Sequence, residues 1–412
     1  MAYTGATTGY AAGAETNTSA VDYALETTYN QPPTGAYQAI RYTDCSLAVN
    51  ETESQPDEIN DIPEMAQSVL NGRTTQGSIN GILSVGTFED MLAAVMTSDW
   101  SSVSLTSSGD VSSGITFQYF PEILGNSDGS WGIKLWGTTA SGSNLPPSGI
   151  IIINDPGNGI NNASARYFVS SVDNSMLNVM PQWTNALTKD TVASKNATMI
   201  FNGITNGKIG KTFTFRKPLS GKWELYTGTM INQVQISLQK GQPAAISIDL
   251  VGSDLTLSDT DNAASVTPRT ATPLINTVEG FLGCSIFGNA PSGCIQSATI
   301  TLSRDGSGQD TGMGHVGACG VRLGSFKAAM EITYLFRDYK QFTDWAAGKT
   351  GLVTVGVQGS DGVGYQFAVL NGIIRNPKTP ISGKNQTVVA TVSITANPVP
   401  GGGTFTITRV SN

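Results

Sequence analysis

The stretch GSINGILSVGTFEDMLAAVM, Gly77–Met96, carries two hydrophobic periods in succession. Ile79, Gly81, Leu83 and Val85 alternate with polar or small residues, the period of a half-buried strand. Phe88, Met91, Leu92 and Val95 then recur at helical spacing, and only Gly86 and Thr87 separate the two patterns. The reading is a strand that runs directly into a short helix, with Thr87 placed to accept a backbone N–H at the helix start.

The same junction occurs again. A shift of 251 residues, Phe88 to Tyr339, lays the stretch on AMEITYLFRDYKQFTDWAA. Ile79, Gly81, Leu83 and Val85 fall on Met330, Ile332, Tyr334 and Phe336, so the alternating face stays in register. Thr87 falls on Asp338, another helix-capping type. The stripe Phe88, Met91 and Val95 falls on Tyr339, Phe342 and Ala346, the spacing that packs a short helix against a sheet. Gly348 is positioned to end the second helix in a left-handed conformation. The segments after the two helices align poorly.

Working outward, composition supports a strand-dense chain. Of 412 residues, 39% are hydrophobic and only 13% charged, with 47 glycines, which suits many short strands joined by tight turns. The length allows two or three domains. Charge is uneven. Met1–Glu64 holds ten acidic residues against Arg41 alone, while the rest of the chain has 22 basic and 21 acidic residues. That balance argues against gripping nucleic acid, which needs Lys and Arg to displace counterions. The N-terminus lacks the basic start and apolar core of a signal peptide, and the longest aliphatic run, Ile150–Ile153, is far too short to span a bilayer. A soluble, unexported chain is expected, and in its reducing compartment Cys45, Cys284, Cys294 and Cys319 read as free thiols rather than a disulfide framework, with a Cys284–Cys294 bridge across the intervening loop as the alternative.

Residues 1–36 show no sustained period and read as an extended arm, ordered only where it lies on something else. ITFQYF and WGIKLWG read as a strand pair around GNSDGS, and SGIIIIND with YFVSSVDNSMLNVMP as a compact β insertion hinged at Asp173 and Asn174. A clear hairpin follows, with Val234, Ile236 and Leu238 alternating before QKGQP and Ile246, Ile248 and Leu250 after it. Gly252–Pro273 is polar and broken by prolines, the expected connecting loop between two halves.

Enzyme chemistry finds few parts. The single histidine, His315, sits near Cys319 in a Gly-rich turn; a Cys–His nucleophile pair needs a third group to orient the base and a cleft to work in, and residues of a turn explain the pair more simply. No Cys/His cluster has zinc spacing. SDTDN (Ser258–Asn262) and DGSGQD (Asp305–Asp310) offer clustered oxygens, but neither has EF-hand spacing or its terminal Glu, so solvated turns are the simpler reading. The six tryptophans, among them Trp183, are scattered singly, which suits packing better than a sugar cleft. No catalytic residue, cofactor or metal is assigned.

TESQPDEI, TTQGSINGILSVGTFEDMLAAVMTSDW and KTFTFRK…ELYTGTMINQVQISLQKGQPAAISIDLVG together resemble the tail tube proteins of long-tailed bacteriophages, and MEITYLFRDYKQFTDWAAGKTGLVTVGVQ with TVVATVSITA and TFTITRV is similar to the closing half of the family's larger members. The resemblance implies a mainly β fold with a few short helices. It implies two tandem tail-tube β-sandwich modules, each flanked by a helix, whose inner sheets close a β-barrel ring with neighbouring subunits. The corresponding division is an arm at 1–36, a first module at 37–255 with an insertion at about 143–225, and a second module at 256–412. It further implies a structural virion protein made in the bacterial cytoplasm, whose homotrimeric, pseudo-hexameric rings stack into the conduit for DNA ejection. Partners would be other copies and the tape measure, tail terminator and distal tail proteins, with DNA only in transit and no membrane. On this reading the acidic loop residues Glu51, Glu53, Asp57 and Glu58 face the lumen or an adjacent ring. A decoration protein or adhesin of β-sandwich type is the alternative.

Overall fold

A computed structural model of the chain describes residues 14–16, 19–59, 61–62, 64–112, 115–121, 131–136, 148–169, 176–181, 187, 190–381, 383–399 and 403–410. The start of the expected arm, the Asp173–Asn174 hinge, the GNSDGS turn and Trp183 lie outside them. Strand makes up 54% of the structure and helix 6%.

β1 (Asp22–Leu25) and β2 (Ala36–Ala39) pair antiparallel. β3 (Asp44–Cys45) and β4 (Ala48–Ser54) both lie antiparallel on β5 (Val69–Ile82), which leads into helix α1 (Glu89–Met96). Then come β6 (Ser101–Thr106), β7 (Thr116–Pro121), β8 (Trp131–Trp136), β9 (Ser148–Asp155), β10 (Ile160–Val169), β11 (Met176–Pro181), β12 (Thr191–Val192) and β13 (Thr198–Thr205). These eight pair among themselves in the order β6–β13–β9–β10–β11–β8–β7–β12. β14 (Phe213–Leu219), β15 (Lys222–Gln239), β16 (Ala245–Gly252) and β17 (Asp254–Ser258) follow, with β18 (Ser265–Thr267) parallel to β2. The chain continues through β19 (Phe281–Ile286), β20 (Ile295–Asp305), the small β21 (Gly308–Asp310) and β22 (Gly320–Arg322) pair, and β23 (Ser325–Leu335). It ends with α2 (Lys340–Ala346), β24 (Thr350–Gln358), β25 (Gly364–Lys378), β26 (Val389–Ala396) and β27 (Phe405–Val410).

One antiparallel pairing scheme occurs twice. β1–β14, β4–β5, β5–β16, β16–β15, β15–β14 and β15–β17 have counterparts in β19–β24, β20–β23, β23–β26, β26–β25, β25–β24 and β25–β27. α1 rests on β15 and α2 on β25. Each long strand, β15 and β25, starts in an outer sheet and ends in an inner one. In β15 the passage is made at Gly228, whose φ of 59° only glycine adopts without strain and whose N–H donates to Glu26 Oε1 at 2.8 Å.

The two inner sets are joined by β15 pairing with β20, giving one eight-stranded antiparallel sheet in the order β4–β5–β16–β15–β20–β23–β26–β25. Its apolar face, including Ile79, Val234, Ile236, Ile248, Ile300, Leu302, Met330 and Ile394, enters a single core that runs through both halves. Among the described residues the pairings do not close a barrel within the chain.

Three local expectations are revised. Thr87 does not cap α1; its hydroxyl is engaged by Ser84 (2.7 Å) and Thr270, and no side chain caps that helix. The Gly252–Pro273 segment is not a free loop, because the alternation in DLTLS places β17 on β15 and a later piece on β2. The arm is a strand from Asp22 onward, since Tyr23 buries against Phe213 and Phe215 with ring centroids 5.8 and 6.0 Å away. By contrast, Gly348 takes the left-handed conformation after α2, φ 62°, its N–H donating to Trp345 O at 2.9 Å.

The strands from β6 to β13 surround a second core of Leu105, Phe117, Tyr119, Ile133, Ile151, Ile153, Met199 and Phe201. This unit begins directly after α1, well before residue 143, because β7 and β8 pair with β12 and β11 rather than with the strands around the helix.

All four cysteines are free. Burial pushes the Cys284 thiol up to about 12 and raises that of Cys45, while Cys294 and Cys319 are exposed. The thiolate is the reactive form. Iodoacetamide at pH 8 is expected to modify Cys294 and Cys319 of the native chain well before Cys45 and Cys284, read by peptide mass spectrometry; early loss of Cys284 would contradict the burial.

Candidate assembly surface

The second face of the eight-stranded sheet is uncharged over most of its area. Side chains that alternate with the core residues are Gln235 and Ser237 on β15, Ser297, Thr299 and Thr301 on β20, and Thr391, Ser393 and Thr395 on β26. Thr333 and Thr391 share a hydrogen bond across strands at 3.2 Å. Charges on this face are few and of both signs: Asp249, Asp305 and Glu331, with Asp44 beside Asn80 at the β3 margin, against Lys327, which binds Asp305 at 2.7 Å, and Arg375. Burial raises the Asp249 carboxyl above the usual carboxylate range. A hydroxyl and amide wall is satisfied by water and offers phosphates no cluster of cations.

The family resemblance implies a lumen or inter-ring position for Glu51, Glu53, Asp57 and Glu58. Glu51 and Glu53 stand on β4, where Glu51 is neutralised by Arg73 at 2.7 Å, and Asp57 and Glu58 lie exposed in the loop to β5. The same loop presents Ile59, Ile62 and Met65, all well exposed, an apolar component that sequence reasoning passed over although the three are spaced by three residues. β5 pairs with β16 only from Thr75 onward, so the β4–β5 hairpin continues past the eight-stranded sheet.

Both margins of that sheet are unpaired among the described residues. On one side is the β3–β4 edge. Ser46 N–H donates to Ser78 O at 2.9 Å, so even-numbered residues bond to β5 and the backbone groups of Leu47 and Val49 point outward, the Leu47 carbonyl accepting from Lys217 Nζ at 2.9 Å. On the other side is the last part of β25 after Ile373, held only by β26. Such edges recruit further strands.

The two helices differ in their surroundings. Phe88, Met91 and Val95 are all at most 1% exposed, and the second half of the chain closes over α1. Tyr365 on β25 donates to Glu89 Oε1 at 3.1 Å, and Arg409 on β27 donates to the same oxygen at 2.9 Å and stacks over Trp100 at 4.5 Å. Arg304 on β20 donates to Val95 O at 2.6 Å. On α2, Tyr339 is 65% exposed and Trp345 46%, Phe342 is half-buried and Ala346 exposed; the buried residue is Gln341, accepting from Tyr334 at 3.2 Å. Phe336, Tyr339 and Phe342 form an edge-on aromatic cluster with centroids 4.9 to 6.3 Å apart.

The residues weighed for chemistry are occupied otherwise. His315 is exposed, its backbone N–H turned onto Gly312 O. Asp259, Asp261, Asp305 and Asp310 pair with Lys222, Arg216, Lys327 and Arg322. Among the described residues no helix is long and apolar enough to cross a membrane.

A comparison with protein families matches residues 16–396 to the profile described as phage tail tube protein. No curated protein matches the chain.

Proposed function

This chain belongs to the phage tail tube protein family, and from that premise we propose that three copies join edge to edge into a pseudo-hexameric ring whose stacking builds the tail tube. The chain is a structural tail component of mainly β fold; the ring, the stack and the passage of DNA through it are our reading. The tandem modules are the two sets of matched strands, with the β6–β13 unit as an outward decoration of the first, and we draw the division just after β17, a few residues beyond 255.

One observation carries the reading: the sheet is already a fusion of two four-stranded sets in the same order, and its two free margins are the counterparts of the strands that meet inside the chain. β15 meets β20 within one copy, so β25 of one copy meets β4 of the next. Three copies make a barrel of about 24 strands, where about 16–18 already leave an aqueous channel. At about 4.8 Å per strand the wall has a circumference of about 115 Å, a diameter of roughly 37 Å before strand tilt widens it. The hydroxyl and amide face lines this bore, and the acidic, apolar β4–β5 loop contacts the adjacent ring. Assembly takes place in the host cytoplasm, with tape measure, terminator and distal tail proteins as the further partners.

Native mass measurement of isolated rings is expected to give three chains. Six would overturn the count of two modules per chain, and a monomer that binds glycan would favour the adhesin reading instead.

A further inference from the structure

We propose that the open aromatic face of α2 is a docking element that seats in a groove of the next copy, and that this contact, as well as strand pairing, locks the ring. The inference rests on the ring reading above and names the side chains that close it.

α1 shows what such a contact looks like when it forms inside one chain. The β15–β20 seam brings the second half over α1, and three of its strands supply the cover: Arg304 from β20, Tyr365 from β25 and Arg409 from β27. α2 rests on β25 as α1 rests on β15, but among the described residues no strands cover it as β20, β25 and β27 cover α1. The exposed Tyr339 and Trp345 and the half-buried Phe342 occupy the positions of Phe88, Ala94 and Met91, all buried in the first half. A second copy supplies the missing cover.

The matched strands identify the receiving surface. β4, β15 and β17 of the next copy stand where β20, β25 and β27 stand over α1. Tyr365 pairs with Arg409 across the β25–β27 ladder, and the β15–β17 ladder, which includes the Glu224–Leu257 pair, takes the same place in the first half. Leu257 is one of the large apolar side chains left exposed. Glu224 lines a groove of about 460 Å³ between the outer strands and the β3 margin, together with Tyr42, Cys45, Lys217 and Leu219. Charge follows the same logic with reversed sign: Glu89 of α1 meets Arg409, whereas Lys340, its counterpart on α2, meets Glu224. Lys217 and Tyr226 hold Glu224 ionised, its carboxyl lying below the usual range despite the burial that opposes this.

Two measurements test the contact. With Tyr339→Cys, maleimide labelling at residue 339 is expected to slow at least about tenfold on passing from monomer to isolated rings, because an exposed side chain becomes covered. Trp345→Arg, a change at an exposed position, should leave the circular dichroism and melting of the monomer unchanged and raise the concentration needed for rings about tenfold. Equal labelling rates in monomer and ring, or normal ring formation by Trp345→Arg, overturns the inference while the ring stands. Failure of the wild-type chain to form rings overturns both readings together.

Discussion

Replacing Ser46 and Arg375 with cysteine, in a chain whose Cys45 is changed to alanine, will convert assembled rings under mild oxidation into a covalent species of three chains on a non-reducing gel. The pair is chosen by walking across the matched strands. Gln235 faces Thr301 at the internal seam. Thr301 lies opposite Ala329, whose counterpart 251 residues earlier is Ser78, and Ser46 is bonded to Ser78. Gln235 lies opposite Ser247, which faces Asn80; the counterpart of Asn80 is Glu331, which leads through Ser393 to Arg375. Ser46 and Arg375 thus stand at the outer margins where Thr301 and Gln235 stand at the inner seam. Lys240 N–H donates to Gln296 O, so odd-numbered residues of β15 form the close, non-hydrogen-bonded pairs with β20, with Cα atoms about 4.5 Å apart. That spacing accommodates a disulfide. Both residues are exposed on the polar face, so the substitutions leave the core intact. The control is Gln235→Cys with Thr301→Cys, which will close within one chain. A control bridge that forms while the Ser46–Arg375 pair stays reduced in assembled tubes would remove the proposed seam, and a closed species of six chains would change the stoichiometry.

The repeat was legible in sequence because strand and helix periods differ, 2 against 3.6, and a switch between them marks a junction even where identity is low. The helices fall at 89 and 340, at the spacing read from Phe88 and Tyr339. What followed the helices was not legible, because the β6–β13 strands enter immediately after α1 while α2 passes to β24 within a few residues. Periodicity assigns a strand but not its partner, so ITFQYF and WGIKLWG were readable as a hairpin and unreadable as neighbours of β12 and β11. The helix stripes illustrate the same boundary from the other side. Phe88, Met91 and Val95 are buried and Tyr339, Phe342 and Ala346 largely are not, although the spacing is identical. Spacing reports which face of a helix is apolar, and only the surrounding strands determine whether one copy can cover it.

Arg216→Met is expected to destabilise the chain by about 3–5 kcal/mol, the cost of leaving a buried charge without its partner. Arg216 is 1% exposed on β14 and binds Asp22 of β1 through two hydrogen bonds, Nε to Oδ1 at 2.6 Å and Nη2 to Oδ2 at 3.0 Å. Its Nη1 reaches Asp261 and, at 3.1 Å, Asn262, and its guanidinium lies over the Tyr37 ring at 4.1 Å. One side chain therefore ties the N-terminal strand, β2 and the connection between the two halves to the outer sheet. Sequence gave no sign of it, since Asp22 and Arg216 are far apart in the chain and both read as surface charges. Burial raises the Asp22 carboxyl and Arg216 opposes that, so removing the arginine leaves burial unopposed. A carboxyl whose folded value is raised stabilises the fold below its unfolded value, about pH 4, and loses that contribution as pH rises through the folded value. The deficit of Arg216→Met, measured as a fall in urea midpoint, is therefore largest at pH 7 and shrinks toward pH 4 as Asp22 takes up its proton. Adding Asp22→Leu removes the stranded charge and should recover most of the loss at pH 7, because an apolar pair of similar volume often replaces a buried ion pair without net cost. A single variant within about 1 kcal/mol of wild type, or a deficit unchanged between the two pH values, would mean that water reaches Asp22 and that the clamp holds the N-terminal strand by packing of Tyr23 and Tyr37 rather than by charge.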